Sequence, residues 1–239
     1  IMKPSHNTPS RNVVIGLPIR NEAARLPTFL PSLAENIAQL KAEGCNVKVI
    51  ACLNGTTDHS EALLDQWNAT QTDPSLKIEI TKSAPGKLNA VKSIARRADN
   101  AALAFIDTDV VLNPDCLLRL HEHLRLKPST QIAYANGIPV FPEDIQETPF
   151  IAMQRDYYAA RDGLQRRNFL HGRTYMLRSN EALLDELHIE AILDDFVARS
   201  ADPHTANEMI RALKLRDGPL SDDKFLSYVT LSRHGLGSI

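Results

Sequence analysis

The sequence predicts an α/β fold, a single domain with a mostly parallel, mixed sheet flanked by helices. Three observations lead there. Apolar runs of strand length alternate four times with segments of helical period within about 115 residues. Helical crossovers of that kind join parallel strands and cover both faces of the sheet. Polar residues follow the first, second and fourth strands directly, and sheets of this class bind ligands at the carboxyl ends of their strands. With 239 residues, 43% of them hydrophobic, the chain can bury roughly 70–75% of its unfolded surface, so its core needs neither disulfide nor metal.

Residues 12–17 carry Val13, Val14 and Ile15 and read as a buried strand. The next helix sets Leu26, Leu30, Leu33, Ile37 and Leu40 on one face, and Gly44 stops it. Residues 47–53 form the second strand. Asp58 opens the second helix, with Glu61 completing a capping box and Leu63, Leu64 and Trp67 inside. Ile78 and Ile80 alternate in a third strand over 76–81. A helix over about 87–98 buries Val91, Ile94, Ala95 and Ala98. Residues 101–106 are an unbroken apolar fourth strand. Asn113 with Pro114 starts a helix carrying Leu117, Leu120 and Leu124.

The second half is less regular. Residues 132–141 read as a long strand interrupted at Gly137 and Pro139, 145–165 as mostly helix, 174–177 as a short strand and 221–233 as a late helix. No repeat, low-complexity stretch or linker divides the chain, so residues 11–234 are expected to form one domain. Residues 1–10 and 235–239 are expected to be flexible ends or cloning residues.

Composition excludes several classes. The net charge of −2 argues against a protein held by nucleic-acid phosphates. No run approaches the 18 or so apolar residues of a membrane span, so no transmembrane segment is expected. The three cysteines, Cys45, Cys52 and Cys116, form no Cys-x-x-Cys pair, which suggests a reduced, cytoplasmic setting, with the inner face of a membrane as an alternative.

The sharpest chemical feature is Asp107-Thr108-Asp109, just past the fourth strand. Two carboxylates at this spacing can grip one hard cation, Mg2+ or Mn2+, and leave positions for phosphate oxygens. Such an ion stabilises the charge of a departing diphosphate. The plain alternative is a capped turn. After the first strand come Pro18, Arg20, Asn21 and Glu22; after the second, Asn54 and Asp58. Pro18 and Asn21 can equally end a strand and cap a helix, and Asp58 can cap. Lys87, at a helix start after Gly86, can donate to a phosphate or stay solvated. Asp222 and Asp223 follow Ser221 where a first helical turn favours carboxylates without any catalysis.

Six segments in order resemble the family 2 glycosyltransferases, which have a GT-A fold and use nucleotide sugars. They are Val13 to Glu22 with its Pro-x-x-Asn-Glu end, Val49 to Asp58, Gly86-Lys87-Leu88-Asn89-Ala90, Phe105 to Asp109 with Asn113-Pro114-Asp115, Gly172 to Arg178, and Ser221-Asp222-Asp223. The resemblance implies a GT-A domain with a nucleotide-sugar half over 11–109 and an acceptor half over 110–234. It implies Mg2+ or Mn2+ on Asp107 and Asp109, and a nucleotide-sugar site of Pro18, Arg20, Asn21, Glu22, Asn54, Asp58, Lys87, Asp107 and Thr108. It makes Asp223 the favoured catalytic base, with Asp222 beside it, and places His171, Gly172 and Arg173 toward an acceptor that is a glycan, lipid or small molecule. His234 is a weaker candidate near the metal.

The chain departs from the family pattern where two acidic residues usually end the second strand; here they are Leu53 and Asn54. An Asn amide can meet both N3–H and O4 of uracil, which favours a UDP-sugar. The Gln-x-x-Arg-Trp motif of processive synthases is missing from the sequence given. Two rival functions remain at this level. A nucleotidyltransferase of related fold would want a glycine-rich loop after the first strand, and residues 18–22 hold no glycine. A catalytically degenerate sugar-nucleotide-binding protein would not be expected to keep Asp107, Asp109 and Asp223 together.

Overall fold

The structure is a computed structural model and describes residues 9–99, 101–135, 148–153, 156–157 and 173–179. Its elements are β1 (Asn12–Ile19), α1 (Leu26–Ala42), β2 (Asn46–Leu53), α2 (Ser60–Thr70), a 3-10 turn (Pro74–Leu76), β3 (Ile78–Lys82), α3 (Lys87–Ala95), β4 (Ala102–Ile106), α4 (Cys116–Leu126), β5 (Ile132–Tyr134) and β6 (Thr174–Leu177). Six strands form one mixed sheet in the order β3-β2-β1-β4-β6-β5. The first four are parallel, and β6 runs antiparallel between β4 and β5. The expected α/β class, with a mostly parallel, helix-flanked sheet, is what the chain adopts.

The order itself makes a site. From β1 the chain steps outward to β2 and β3, then returns across β1 to β4. The carboxyl ends of β1 and β4 therefore flank the point where the winding reverses, the crevice in which open α/β sheets bind ligands.

Strand alternation sorts the core into two layers. Val13, Ile15, Leu17 and Ile19 face Leu26, Phe29, Leu33, Ile37 and Leu40 of α1 and Leu117, Leu120 and Leu124 of α4. Val14, Ile50, Cys52, Leu103 and Phe105 face Ala90, Val91, Ile94 and Ala95 of α3 on the other side. Gly16 is what lets α3 lie so close. A Cβ there would stand 2.7 Å from Ile94 Cγ2 and 3.0 Å from Phe105 Cε1. The position of α3 matters because its first turn carries Lys87.

Helix ends show where local signals hold and where distant ones replace them. Gly44, at φ 79°, ends α1 with Gly44 N–H donating to Lys41 O at 2.9 Å and Cys45 N–H to Leu40 O at 3.0 Å. This is the paired closure expected of a C-terminal glycine. The starts of α2 and α4 differ from the sequence reading. Helix α2 begins at Ser60 rather than Asp58, and Glu61 pairs with Lys82 Nζ at 2.8 Å instead of closing a capping box. Helix α4 begins at Cys116, with no side-chain cap from Asp115. Its Leu117 N–H donates instead to Oδ1 of Asn36, buried in α1, at 2.9 Å, while Asn36 Nδ2 donates to Asn113 O at 2.8 Å.

At the other end of α4 the buried Arg178 guanidinium donates to the carbonyls of Leu124, Lys127 at 2.9 Å and Thr130 at 3.0 Å. A cation there offsets the negative end of the helix. Tyr175 of β6 packs on Phe105 with ring centroids 5.4 Å apart. All three cysteines are free thiols. Among the described residues, no helix is long and apolar enough to cross a membrane.

The strand expected over 132–141 is β5 over Ile132–Tyr134, with residues 136–141 outside the described residues, and the helix expected over 145–165 is described only in part. The late helix over 221–233, with Asp222 and Asp223, lies outside the described residues, as do His171, Gly172 and His234.

Candidate active site at the strand ends

A cleft of about 340 Å³ opens at the reversal point, lined by Pro18, Arg20, Glu22, Asn54, Gly86, Lys87, Asp107, Thr108 and Asp109. The volume suits a small ligand or part of a larger one. Eight of these nine residues are sequence candidates. The ninth, Gly86, sits at φ 121° as the residue before α3, a backbone conformation glycine adopts readily. Its signal in the sequence is a lone glycine directly before a helix that opens on a lysine.

The ends of β1 and β2 are tied together before any ligand arrives. The Ile19 carbonyl accepts from Asn54 N–H at 2.9 Å, Asn54 Nδ2 at 3.1 Å and Thr56 Oγ1 at 3.0 Å. Asn21, at φ 57°, accepts on Oδ1 from Thr57 N–H at 2.8 Å and Asp58 N–H at 3.3 Å. Asp58 accepts on Oδ2 from Ala23 N–H at 2.9 Å and on Oδ1 from the Ser60 amide at 3.0 Å and hydroxyl at 2.6 Å. Ser60 Oγ in turn accepts from Glu22 N–H at 2.9 Å. Burial pushes the Asp58 pKa up, but the Ser60 hydroxyl and the amides of Ala23 and Ser60 outweigh it and hold the carboxyl below its ordinary 3.8. Asn21 and Asp58 thus brace two loops from beside the cleft. The end of β1 presents Pro18 to it, and the loop that follows presents Arg20 and Glu22.

Glu22 Oε2 accepts from Arg25 Nη1 at 2.8 Å. That bond and the Glu22 charge raise the Arg25 pKa, with a smaller contribution from Asp109. Arg25 was not a candidate from sequence; the fold brings it close enough for the charge of Asp109 to act on it.

Asp107-Thr108-Asp109 caps β4. The Asp107 N–H donates to the Arg173 carbonyl at 2.8 Å, extending the β4–β6 pairing by one bond. This brings the backbone of Arg173 beside the motif, while its side chain is exposed. Asp107 receives Lys87 Nζ on both oxygens, at 2.8 and 3.1 Å. Asp109 is exposed in the cleft. Thr108 is 3% exposed, and its Oγ1 has no hydrogen-bond partner among the described residues. A buried hydroxyl left this way costs free energy unless a ligand or water completes it.

These groups fit a divalent cation that binds together with a phosphate ligand. Among the described residues no three His, Cys, Asp or Glu side chains gather as a metal-holding group. Asp107 and Asp109 offer two carboxylates, and a small hard ion such as Mg2+ takes one or two of these and completes its shell with water and phosphate oxygens.

Comparison with known proteins agrees with this fold. The mannosyltransferase PcManGT of Pyrobaculum calidifontis, solved with GDP-Man and Mn2+, aligns at a TM-score of 0.51 and 16% identity over 96% of this chain and 72% of that one. The M. tuberculosis glucosyl-3-phosphoglycerate synthase aligns at 0.48 and 16% identity over 89% and 82%. A structure of S. aureus TarS aligns at 0.41 and 14% identity over 57% and 40%. The protein spans between 19% and 40% of the length of three TarS chains that it matches. Among curated proteins none matches significantly. Residues 14–183 match the family model described as Glycosyl transferase family 2. That match runs from β1 through the cleft motifs to β6, and the chain belongs to glycosyl transferase family 2.

Proposed function

We propose that the protein is a metal-dependent inverting glycosyltransferase that moves a sugar from a nucleoside diphosphate sugar to an acceptor hydroxyl. The observation that carries this reading is the convergence of Asp107, Asp109, Lys87 and Arg20 on one cleft at the reversal point of the sheet. The GDP-Man and Mn2+ held by the Pyrobaculum enzyme on a similar fold support it. Asp107 and Asp109 would hold Mg2+ or Mn2+, which supplies charge to the departing diphosphate. Lys87 and Arg20 would meet phosphate oxygens, and the amino end of α3 favours the same charge.

Asn54 would meet the base. One of its amide N–H groups is engaged by Ile19, so Oδ1 and the second N–H are the atoms that would contact uracil, and UDP is favoured over GDP.

The transfer is a single displacement. The acceptor oxygen bonds to the anomeric carbon as the bond from that carbon to the diphosphate oxygen breaks. The electron pair leaves on the diphosphate, and the acceptor proton would go to a carboxylate, which the family resemblance assigns to Asp223. Arg173, with His171 and Gly172, would border the acceptor.

Two measurements test this. In a thermal-shift panel, UDP or GDP should stabilise the protein only with Mn2+ or Mg2+, UDP more than GDP. Failure of every nucleotide to do so overturns the donor assignment. Asp223→Asn should bind donor normally and lose transfer by about 10²–10⁴-fold, with a milder loss in Asp222→Asn. Wild-type turnover in Asp223→Asn would move the base to another carboxylate.

A further inference from the structure

Lys87 already occupies the carboxylate that the cation needs. Its Nζ stands 2.8 and 3.1 Å from the two oxygens of Asp107. Before Asp107 can ligate a divalent ion, this ammonium must share or release an oxygen. The exchange asks little of the core. The two side chains are 38% and 27% exposed, and Lys87 is the first residue of α3, on a flexible four-carbon stem.

A second ion pair, Glu22 with Arg25 at 2.8 Å, matches another of the carboxylates that line the cleft. A lone divalent cation would therefore enter against cations already seated on their carboxylates. A lone diphosphate would enter beside Glu22, Asp107 and Asp109. Entering together, the two ligands neutralise each other, and Lys87 gains a new anion as it leaves its old one.

Resting on the reading of the cleft as a metal and diphosphate site, we propose that Lys87 is an internal counter-ion that couples the two ligands. It holds Asp107 in the absence of donor and passes its ammonium to the diphosphate when donor and cation enter. Each ligand then raises the affinity for the other by the same factor, because coupling free energy is reciprocal. The role is distinct from simple phosphate binding, which would leave the affinity for metal alone indifferent to Lys87.

The test is Mn2+ binding to the full chain, followed by electron paramagnetic resonance or calorimetry, with and without saturating UDP or GDP. Wild type should bind Mn2+ weakly alone and about 10–100-fold more tightly with nucleotide. Lys87→Gln should bind Mn2+ alone about fivefold more tightly, as expected for removing a competing, partly exposed ion-pair partner. The same variant should bind nucleotide with Mn2+ less tightly than wild type, so that coupling falls from both sides. Lys87→Arg should keep most of the coupling. Lys82→Gln removes a cation outside the cleft, paired with Glu61, and controls for net charge.

If wild type shows coupled binding but Lys87→Gln binds Mn2+ alone no better than Lys82→Gln, the counter-ion role is overturned and the glycosyltransferase reading stands. If wild type shows no Mn2+-dependent binding of either nucleotide, both fall.

Discussion

In the turns after β1 and β2, Asn21 and Asp58 direct their side chains at each other's loops; the turn after β4 directs its own into the cleft. Both lie on the same edge of the sheet, and both are rich in Asn, Asp and Thr. In the first pair, the Asn21 and Asp58 carboxamide and carboxylate oxygens accept backbone and hydroxyl donors across the loops. In the second, Asp107 holds a lysine that can leave, Asp109 is exposed, and Thr108 keeps a buried hydroxyl with no partner among the described residues. Polar residues at strand ends are thus of two kinds. One kind is satisfied across the loops and sets the shape of the cleft, while the other faces the cleft itself.

The largest effect should come from breaking the second kind. Asp107→Ala should lower Mn2+-dependent nucleotide binding at least about 100-fold, while its melting temperature moves little, because the pair it removes is partly exposed. Asp109→Ala should behave alike. Undiminished Mn2+-dependent binding in both variants, read by calorimetry, would sink the metal assignment.

Breaking the first kind should do the reverse. Asp58→Asn cannot accept from all three of its donors, and leaving such groups unmet costs about 1–3 kcal/mol of stability, with donor affinity little changed. A pH signature should accompany it. Because the folded carboxyl lies below its ordinary 3.8, its contribution is present above that pH and is lost as pH falls through the lowered value. Urea unfolding at pH 7 and at a series of pH values falling below 3.8 should show wild type losing this contribution progressively and Asp58→Asn lacking it throughout. Lost donor binding with unchanged stability would instead make Asp58 a ligand contact.

The smallest effect sharpens the contrast most. Thr108→Val keeps the shape and removes the hydroxyl. Since that hydroxyl has no protein partner among the described residues, stability should hold or rise by up to about 1 kcal/mol, and donor affinity should fall a few-fold. A clear stability loss with unchanged donor affinity would place the hydroxyl in the frame.

Much of the cleft was legible because its residues lie next to strong local signals. A short polar turn after a buried apolar strand marks a ligand edge, and Pro18, Arg20, Glu22, Asn54, Asp107, Thr108 and Asp109 could be found that way, while Lys87 was marked by its place at a helix start after a glycine. Asn21 and Asp58 carry the same signal, yet their oxygens are engaged by loops more than thirty residues away in sequence. The signal does not report that distance. Arg25 and Gly86 were missed for a related reason. Arg25 reads as an exposed residue before a helix, and only the folded structure brings its charge within reach of Asp109.

The amino-acid sequence by itself determined the α/β class, the four parallel strands, the face of each helix and the stop at Gly44. These depend on hydrophobic period and on backbone preferences that act within a few residues. Tertiary structure alone decided which strand lies beside which, and so where the winding reverses and the cleft opens. It also seated β6 between β4 and β5, capped α4 with Asn36 from α1, and set Lys87 on Asp107. Each of these joins groups from separate segments, and nothing in the local spacing of either segment encodes its partner. The pairing follows once burial of both sheet faces has brought the segments together.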